Sequence, residues 1–90
     1  MGFYYDPGKA EKLLKERSIN LEEIVDILSA DRYLKMLENK SRPEQNIFIL
    51  RYKGYIHVVP FIFDIHGNHV IKTAYPSRKY NKIFGGKNEA

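Results

Sequence analysis

Between residues 72 and 82, Lys72, Tyr75, Arg78, Lys79, Tyr80 and Lys82 interleave cations with aromatic rings. Cations neutralise phosphates and tyrosine rings stack on unpaired bases, so the pattern points to contact with single-stranded RNA. Charge along the chain is uneven in the same sense. Residues 1–70 carry ten basic and ten acidic side chains, whereas residues 71–90 carry Lys72, Arg78, Lys79, Lys82 and Lys87 against Glu89 alone. The whole formal charge of +4 therefore lies in the last twenty residues. Either a polyanionic or acidic partner docks near the C-terminus, or the segment is a solubilising tail.

Three histidines could titrate or ligate near neutral pH. His66 and His69 flank Gly67-Asn68 at a spacing that fits two imidazoles on one metal, but no further acid or thiol is placed to complete the set. They read as a solvated hairpin tip, and no metal or other cofactor is expected. His57 interrupts an apolar strand, either satisfied by a backbone carbonyl or acting as an acid/base or phosphate contact. With a two-residue loop at Gly67-Asn68 or His66-Gly67, positions 57, 59, 61 and 63 share a face with Lys72 and Ala74, so His57 and Lys72 face the same side. Arg51 joins that face only if the Lys53-Gly54 turn has an odd length; a two-residue turn sends it to the other side with Ile56. Glycine-rich phosphate loops, nucleophile elbows and cysteine chemistry are absent, and Glu11, Glu16, Glu22 and Glu23 read as solvated helix faces.

The elements that must position these groups fit in one domain. Ninety residues without cysteine or tryptophan predict a single unit over 1–86, with 87–90 a frayed tail after Gly85-Gly86. The absence of cysteine fits a reducing, cytoplasmic setting. The longest apolar run, Tyr55–Phe63, is half of what a membrane helix needs, so no membrane partner is expected. Phe3-Tyr4-Tyr5 is a strand or a core staple. Asp6 caps a helix that Pro7 begins and that runs to about Arg17, its buried stripe being Ala10, Leu13 and Leu14. Asn20, with Glu23 three residues on, resembles a capping box for a second helix carrying Leu21, Ile24, Val25 and Leu28 to Ser29. Asp31–Glu38 is predicted as a strand, and residues 39–45 as a polar loop. Asn46–Tyr52, Tyr55–Phe63 and Val70–Tyr75 then form an antiparallel meander turned at Lys53-Gly54 and residues 64–68. Pro60 demands an edge, a bulge or an unpaired site. Pro76 ends the last strand, and Arg78–Phe84 makes a turn or two of helix. The expected class is α+β, with two N-terminal helices packed on an antiparallel sheet of three to four strands and a short C-terminal helical turn.

This order of elements, with several motifs, resembles the BrnT family, the toxin half of a type II toxin-antitoxin system. The resemblance rests on Phe3-Tyr4-Tyr5-Asp6-Pro7-Gly8-Lys9-Ala10 at the first helix, on Ile19-Asn20-Leu21-Glu22-Glu23-Ile24 at the second, and on Val70-Ile71-Lys72-Thr73-Ala74 with Ser77-Arg78 at the end of the sheet. It implies a RelE-like, metal-independent endoribonuclease, with helices on one sheet face and RNA on the other. In such enzymes the 2′-hydroxyl of RNA attacks its own phosphate. By the same resemblance Arg51, Lys72 and Arg78 would stabilise charge and Tyr75 or Tyr80 would stack a base beside Lys79 and Lys82; acid/base work by His57 is an expectation of its own, since RelE-like enzymes often manage with basic residues and tyrosine alone. The implied partners are the RNA substrate and a cognate antitoxin of ribbon-helix-helix type, with DNA met only through the antitoxin complex. Two departures stand out. Glu16-Arg17-Ser18 replaces the family's Lys-His-Gly between the helices, and the chain stops soon after Phe84. A non-catalytic RNA- or protein-binding module of the same fold is the alternative.

Overall fold

Asp6 and Pro7 start the first helix as predicted. In the computed structural model, which describes residues 2–85, α1 (Pro7–Arg17) opens with the Asp6 carboxylate accepting from the Lys9 backbone N–H at 2.9 Å. Pro7 has no donor to lose at that position. Ser18 ends α1 in the left-handed region, and Asn20 begins α2 (Leu21–Ser29). Leu13 of α1 is buried with Leu21, Ile24 and Leu28 of α2, whereas Leu14 points to solvent. The predicted capping box works through a third residue. Asn20 Oδ1 accepts from the Glu22 N–H, while the Tyr52 hydroxyl donates to Glu23 Oε1 at 2.7 Å and accepts from the Asn20 N–H at 3.1 Å. A residue of the sheet thus closes the cap of the helix above it.

That sheet has six strands: β1 (Phe3–Tyr5), β2 (Lys35–Glu38), β3 (Asn46–Tyr52), β4 (Tyr55–Phe63), β5 (His69–Ile71) and β6 (Tyr75–Pro76). Their order is β1-β5-β4-β3-β2, with β6 on β4 beyond the end of β5. Three expectations change. The sheet is mixed rather than antiparallel and exceeds four strands, because β1 is a strand and runs parallel to β5. The strand expected over Asp31–Glu38 is only Lys35–Glu38, since Asp31 (φ 57°) still turns the chain out of α2. The strand expected over Val70–Tyr75 is broken into β5 and β6.

Pro60 accounts for the break. The Lys53-Gly54 turn has φ of 53° and 79°, a two-residue hairpin of the type that favours glycine at its second position. Bonded and non-bonded pairs alternate outward from Tyr52–Tyr55, so the backbone nitrogen of Pro60, opposite Ile47, points away from β3. On that side the Lys72 N–H donates to the Pro60 carbonyl at 2.8 Å, but Pro60 has no N–H to return to the Lys72 carbonyl. Between the pairs Phe61–Ile71 and Val58–Tyr75, residues 72–74 face only 59–60, and the chain kinks as a bulge. Donors from α1 fill in. Lys9 Nζ reaches the Lys72 carbonyl and Arg17 Nη1 the Ala74 carbonyl, each at 3.4 Å.

Each face of the sheet carries its own core. Phe48, Leu50, Tyr52, Val59, Phe61 and Ile71 pack beneath the helices. On the other face Ile47, Ile49, Ile56 and Val58 pack against Leu37, Tyr80 and Phe84. The last two come from the C-terminal segment, where α3 (Arg78–Tyr80) runs into a single π-helical turn, Asn81–Gly85. Ser77 Oγ caps α3, and Asn81 Oδ1 accepts from the Ile56 N–H at 3.1 Å, pinning the segment to β4. The predicted C-terminal helical turn is therefore present, and it covers part of the second face. The tail expected at 87–90 lies outside the described residues. No helix among the described residues is long and apolar enough to cross a membrane.

Tyr52→Phe removes only the hydroxyl that links Glu23 to the Asn20 N–H. The expected loss is about 1–2 kcal/mol of stability, read as a lower urea midpoint with an unchanged far-UV spectrum. An unchanged midpoint would show that the cap does not need its third member.

Candidate functional site

The sheet separates residues that the sequence placed together. With the two-residue turn at Lys53-Gly54, Arg51 lies opposite Ile56 on the face covered by the C-terminal segment, while His57 lies opposite Leu50 on the helix-covered face. His57 is 7 % exposed. Its Nδ1 is 3.0 Å from the Tyr55 carbonyl, and its ring meets the Tyr52 ring edge-on at 5.2 Å. Burial lowers its pKa from the ordinary histidine value; the Tyr55 carbonyl partly offsets this and the charge of Lys53 adds to it. Of the two roles open to His57, this geometry fits the carbonyl-satisfied one.

Lys72 does not share the face of His57, and the loop after β4 explains why. Residues 64–68 form one closed turn rather than a two-residue hairpin. Asp64 Oδ1 accepts from the backbone N–H groups of His66 and Asn68, both at 2.8 Å, and the Asp64 N–H donates to the Asn68 carbonyl. These bonds, the one from Asn68 first, hold the Asp64 carboxyl below its usual pKa. The resulting register pairs Phe63 with His69 and Phe61 with Ile71, so His69 and Ile71 share the face of His57 and Lys72 falls on the opposite one. His69 is accordingly no part of a solvated tip. Its ring stacks on Phe3 at 4.6 Å and lies 5.0 Å from Phe63, while His66 remains exposed.

What the fold does bring together is a cationic groove around the loop at 39–45. On one side of the loop a cavity of about 480 Å³ is lined by Lys9, Arg42, Lys72, Thr73 and Tyr75, with Pro60 at its floor. On the other side a cavity of about 460 Å³ is lined by Lys40, Lys79 and Tyr80, with Glu38 its carboxylate. Asn39 and Ser41 border both. Of the sequence-predicted residues, Lys72 and Tyr75 therefore meet in the first cavity and Lys79 and Tyr80 in the second. Arg78 and Lys82 are exposed on the adjoining C-terminal segment and line neither cavity. Arg51 and His57 line neither as well.

The charges in the groove are not spent on carboxylates. Among the described residues the ion pair is Lys15–Glu11, on the outer surface of α1. Tyr75 is 37 % exposed, which leaves its ring open to a ligand. Tyr80 is half-buried, stacked on Phe84 at 6.1 Å with Lys79 Nζ 5.1 Å from its ring centre, so it is committed partly to packing. Lys9, Lys40 and Arg42 had no place in the sequence-based set, because tertiary structure brings Lys9 and Arg42 to Lys72 and Lys40 to Lys79; the available signal was the basic, polar loop Lys40-Ser41-Arg42. Compared with known proteins, the chain gives no significant match to any family, to any curated protein or to any solved structure.

Because the folded state holds His57 with a lowered pKa, the unfolded chain binds the extra proton first as pH falls. The stability this group contributes is complete above about pH 6.5 and declines below it, toward the folded pKa. Thermal melts from about pH 7.5 to about pH 5 should show a falling midpoint, with a shallower fall in His57→Gln. Equal slopes would remove His57 as the cause.

Proposed function

We propose that this chain binds single-stranded RNA along the groove around residues 39–45 and that it serves as the RNA-directed toxin of a toxin-antitoxin pair. One observation carries the binding: Lys9 of α1, Arg42 of the loop at 39–45, and Lys72 and Tyr75 of the kinked segment after β5 converge on one open cavity. The ammonium and guanidinium groups supply phosphate contacts, and the free face of Tyr75 supplies a stacking surface for an unpaired base. The toxin role follows the BrnT resemblance, and two N-terminal helices packed on one face of a sheet support the RelE-like arrangement it implies. In that role the protein works in the cytoplasm, and a cognate antitoxin neutralises it by laying an acidic segment in the same groove.

Metal-independent cleavage would form a bond from O2′ to phosphorus and break the bond from phosphorus to O5′, leaving a 2′,3′-cyclic phosphate and a 5′-hydroxyl. The proton of the 2′-hydroxyl must be removed and one delivered to the leaving oxygen. Lys9, Arg42 and Lys72 are suited to stabilise the extra negative charge on the phosphoryl oxygens. A second reading, binding without cleavage, is favoured by the position of His57, which faces the helices instead of the groove.

Fluorescence anisotropy with a labelled oligouridylate should give an affinity that falls as salt rises. Lys72→Ala and Arg42→Ala should each weaken it and lower the salt slope by about one. Tyr75→Ala should weaken it with the slope unchanged, and Arg51→Ala should leave it as it was. Wild-type protein that binds no RNA at low salt would overturn the proposal. Bound RNA incubated in chelator and run on a gel then separates the two readings: a cyclic-phosphate product establishes cleavage, and intact RNA establishes the binding module.

A further inference from the structure

The groove does not end at the sheet. Its cavity shares Lys9, Lys72 and Thr73 with a third one of about 300 Å³ on the flank of α1, so the two adjoin at the kink at 72–74. Lys12 and Arg17 line this flank with Lys9 and Lys72, over an apolar floor at Leu13, against the single carboxylate of Glu16. The spacing of Lys9, Lys12 and Glu16 places them on one side of α1, beside the stripe through which Leu13 enters the core. Two of the cations are held in place by the kink itself, Lys9 on the Lys72 carbonyl and Arg17 on the Ala74 carbonyl. Each bond uses one donor of a group that has several, so the remaining N–H groups stay available to a ligand.

We infer that α1 carries a second phosphate subsite, built from Lys9, Lys12 and Arg17, and that a single RNA strand passes from the sheet face over residues 72–74 to reach it. The inference rests on the RNA reading above and deepens it: the ligand is a strand long enough to cover both cavities, and a short one fills only the groove by the 39–45 loop. A strand of nucleic acid fits this path better than a compact anion, since it alone presents charge at regular intervals over two adjoining cavities. Glu16 sets a limit within the subsite, because its carboxylate repels the same backbone.

Lys12 is exposed, has no hydrogen-bonding partner among the described residues, and lies outside the groove at 39–45, so Lys12→Glu tests the subsite without disturbing the fold. Binding is measured with oligouridylates of about 4 and about 12 nucleotides, lengths within the range a single small domain covers. The expected result is that Lys12→Glu weakens the longer oligomer about fivefold at low salt and leaves the shorter one unchanged, while Glu16→Gln tightens the longer one alone. If wild-type protein binds both lengths and Lys12→Glu alters neither, or alters both equally, the second subsite is wrong and the groove reading survives. If wild-type protein binds neither, the RNA reading fails and takes the subsite with it. Melting curves of both variants matched to wild type confirm that binding, not folding, is being read.

Discussion

Pro60 stands in the middle of β4 with no N–H to give, and the whole β5–β6 side of the sheet is arranged around that missing donor. A regular ladder would have returned a bond to the Lys72 carbonyl. Its absence lets the chain bulge at 72–74, splits one predicted strand into two, and leaves two carbonyls that Lys9 and Arg17 reach from α1. The same irregularity turns Lys72, Thr73 and Tyr75 toward the loop at 39–45 and opens the cavity there. An unpaired buried carbonyl would cost about 1–3 kcal/mol, so Arg17, whose partner Ala74 is fully buried, is held by the need of the backbone. Of the groove cations, Lys9 is anchored to the kink through the Lys72 carbonyl, with no carboxylate required to orient it.

Tyr52 plays the corresponding part for the helices. Its ring is buried in the main core while its hydroxyl stands between the Asn20 N–H and the Glu23 carboxylate. A helix of nine residues is marginal in isolation, and here one aromatic side chain of β3 both receives its apolar face and completes its first turn. The helix-covered face is thereby committed to structure, which is why His57 is buried in this layer.

Local chemistry made much of this fold legible. Asp6-Pro7 and Asn20 mark helix starts because their side chains act within three residues, and Lys53-Gly54 marks a hairpin because its backbone geometry is demanded by two residues alone. Pro60 announced its own irregularity, although not what would replace its donor. The parts that were not legible depend on distant pieces meeting. Nothing near Phe3-Tyr4-Tyr5 says that it will run parallel to β5. The face of Lys72 was misplaced because the Asp64 side chain closes a longer loop than glycine and asparagine alone suggest, and one residue of register exchanges the two faces. The grouping of Lys9 and Arg42 with Lys72 and Tyr75 likewise exists only in three dimensions, so half of the groove was visible as a basic, aromatic sequence and half was not.

The parallel pairing of β1 with β5 joins positions 66 residues apart. Closing so long a loop is entropically costly and comes late in folding unless other contacts have first drawn the ends together. The β3–β4 hairpin, whose ends are separated by two residues, provides that earlier framework. During synthesis the first strand must therefore wait until β5 has left the ribosome. Lys72 follows β5 directly, so until that strand emerges the nascent chain displays isolated lysines and arginines, and the assembled cationic track appears only with the closed sheet.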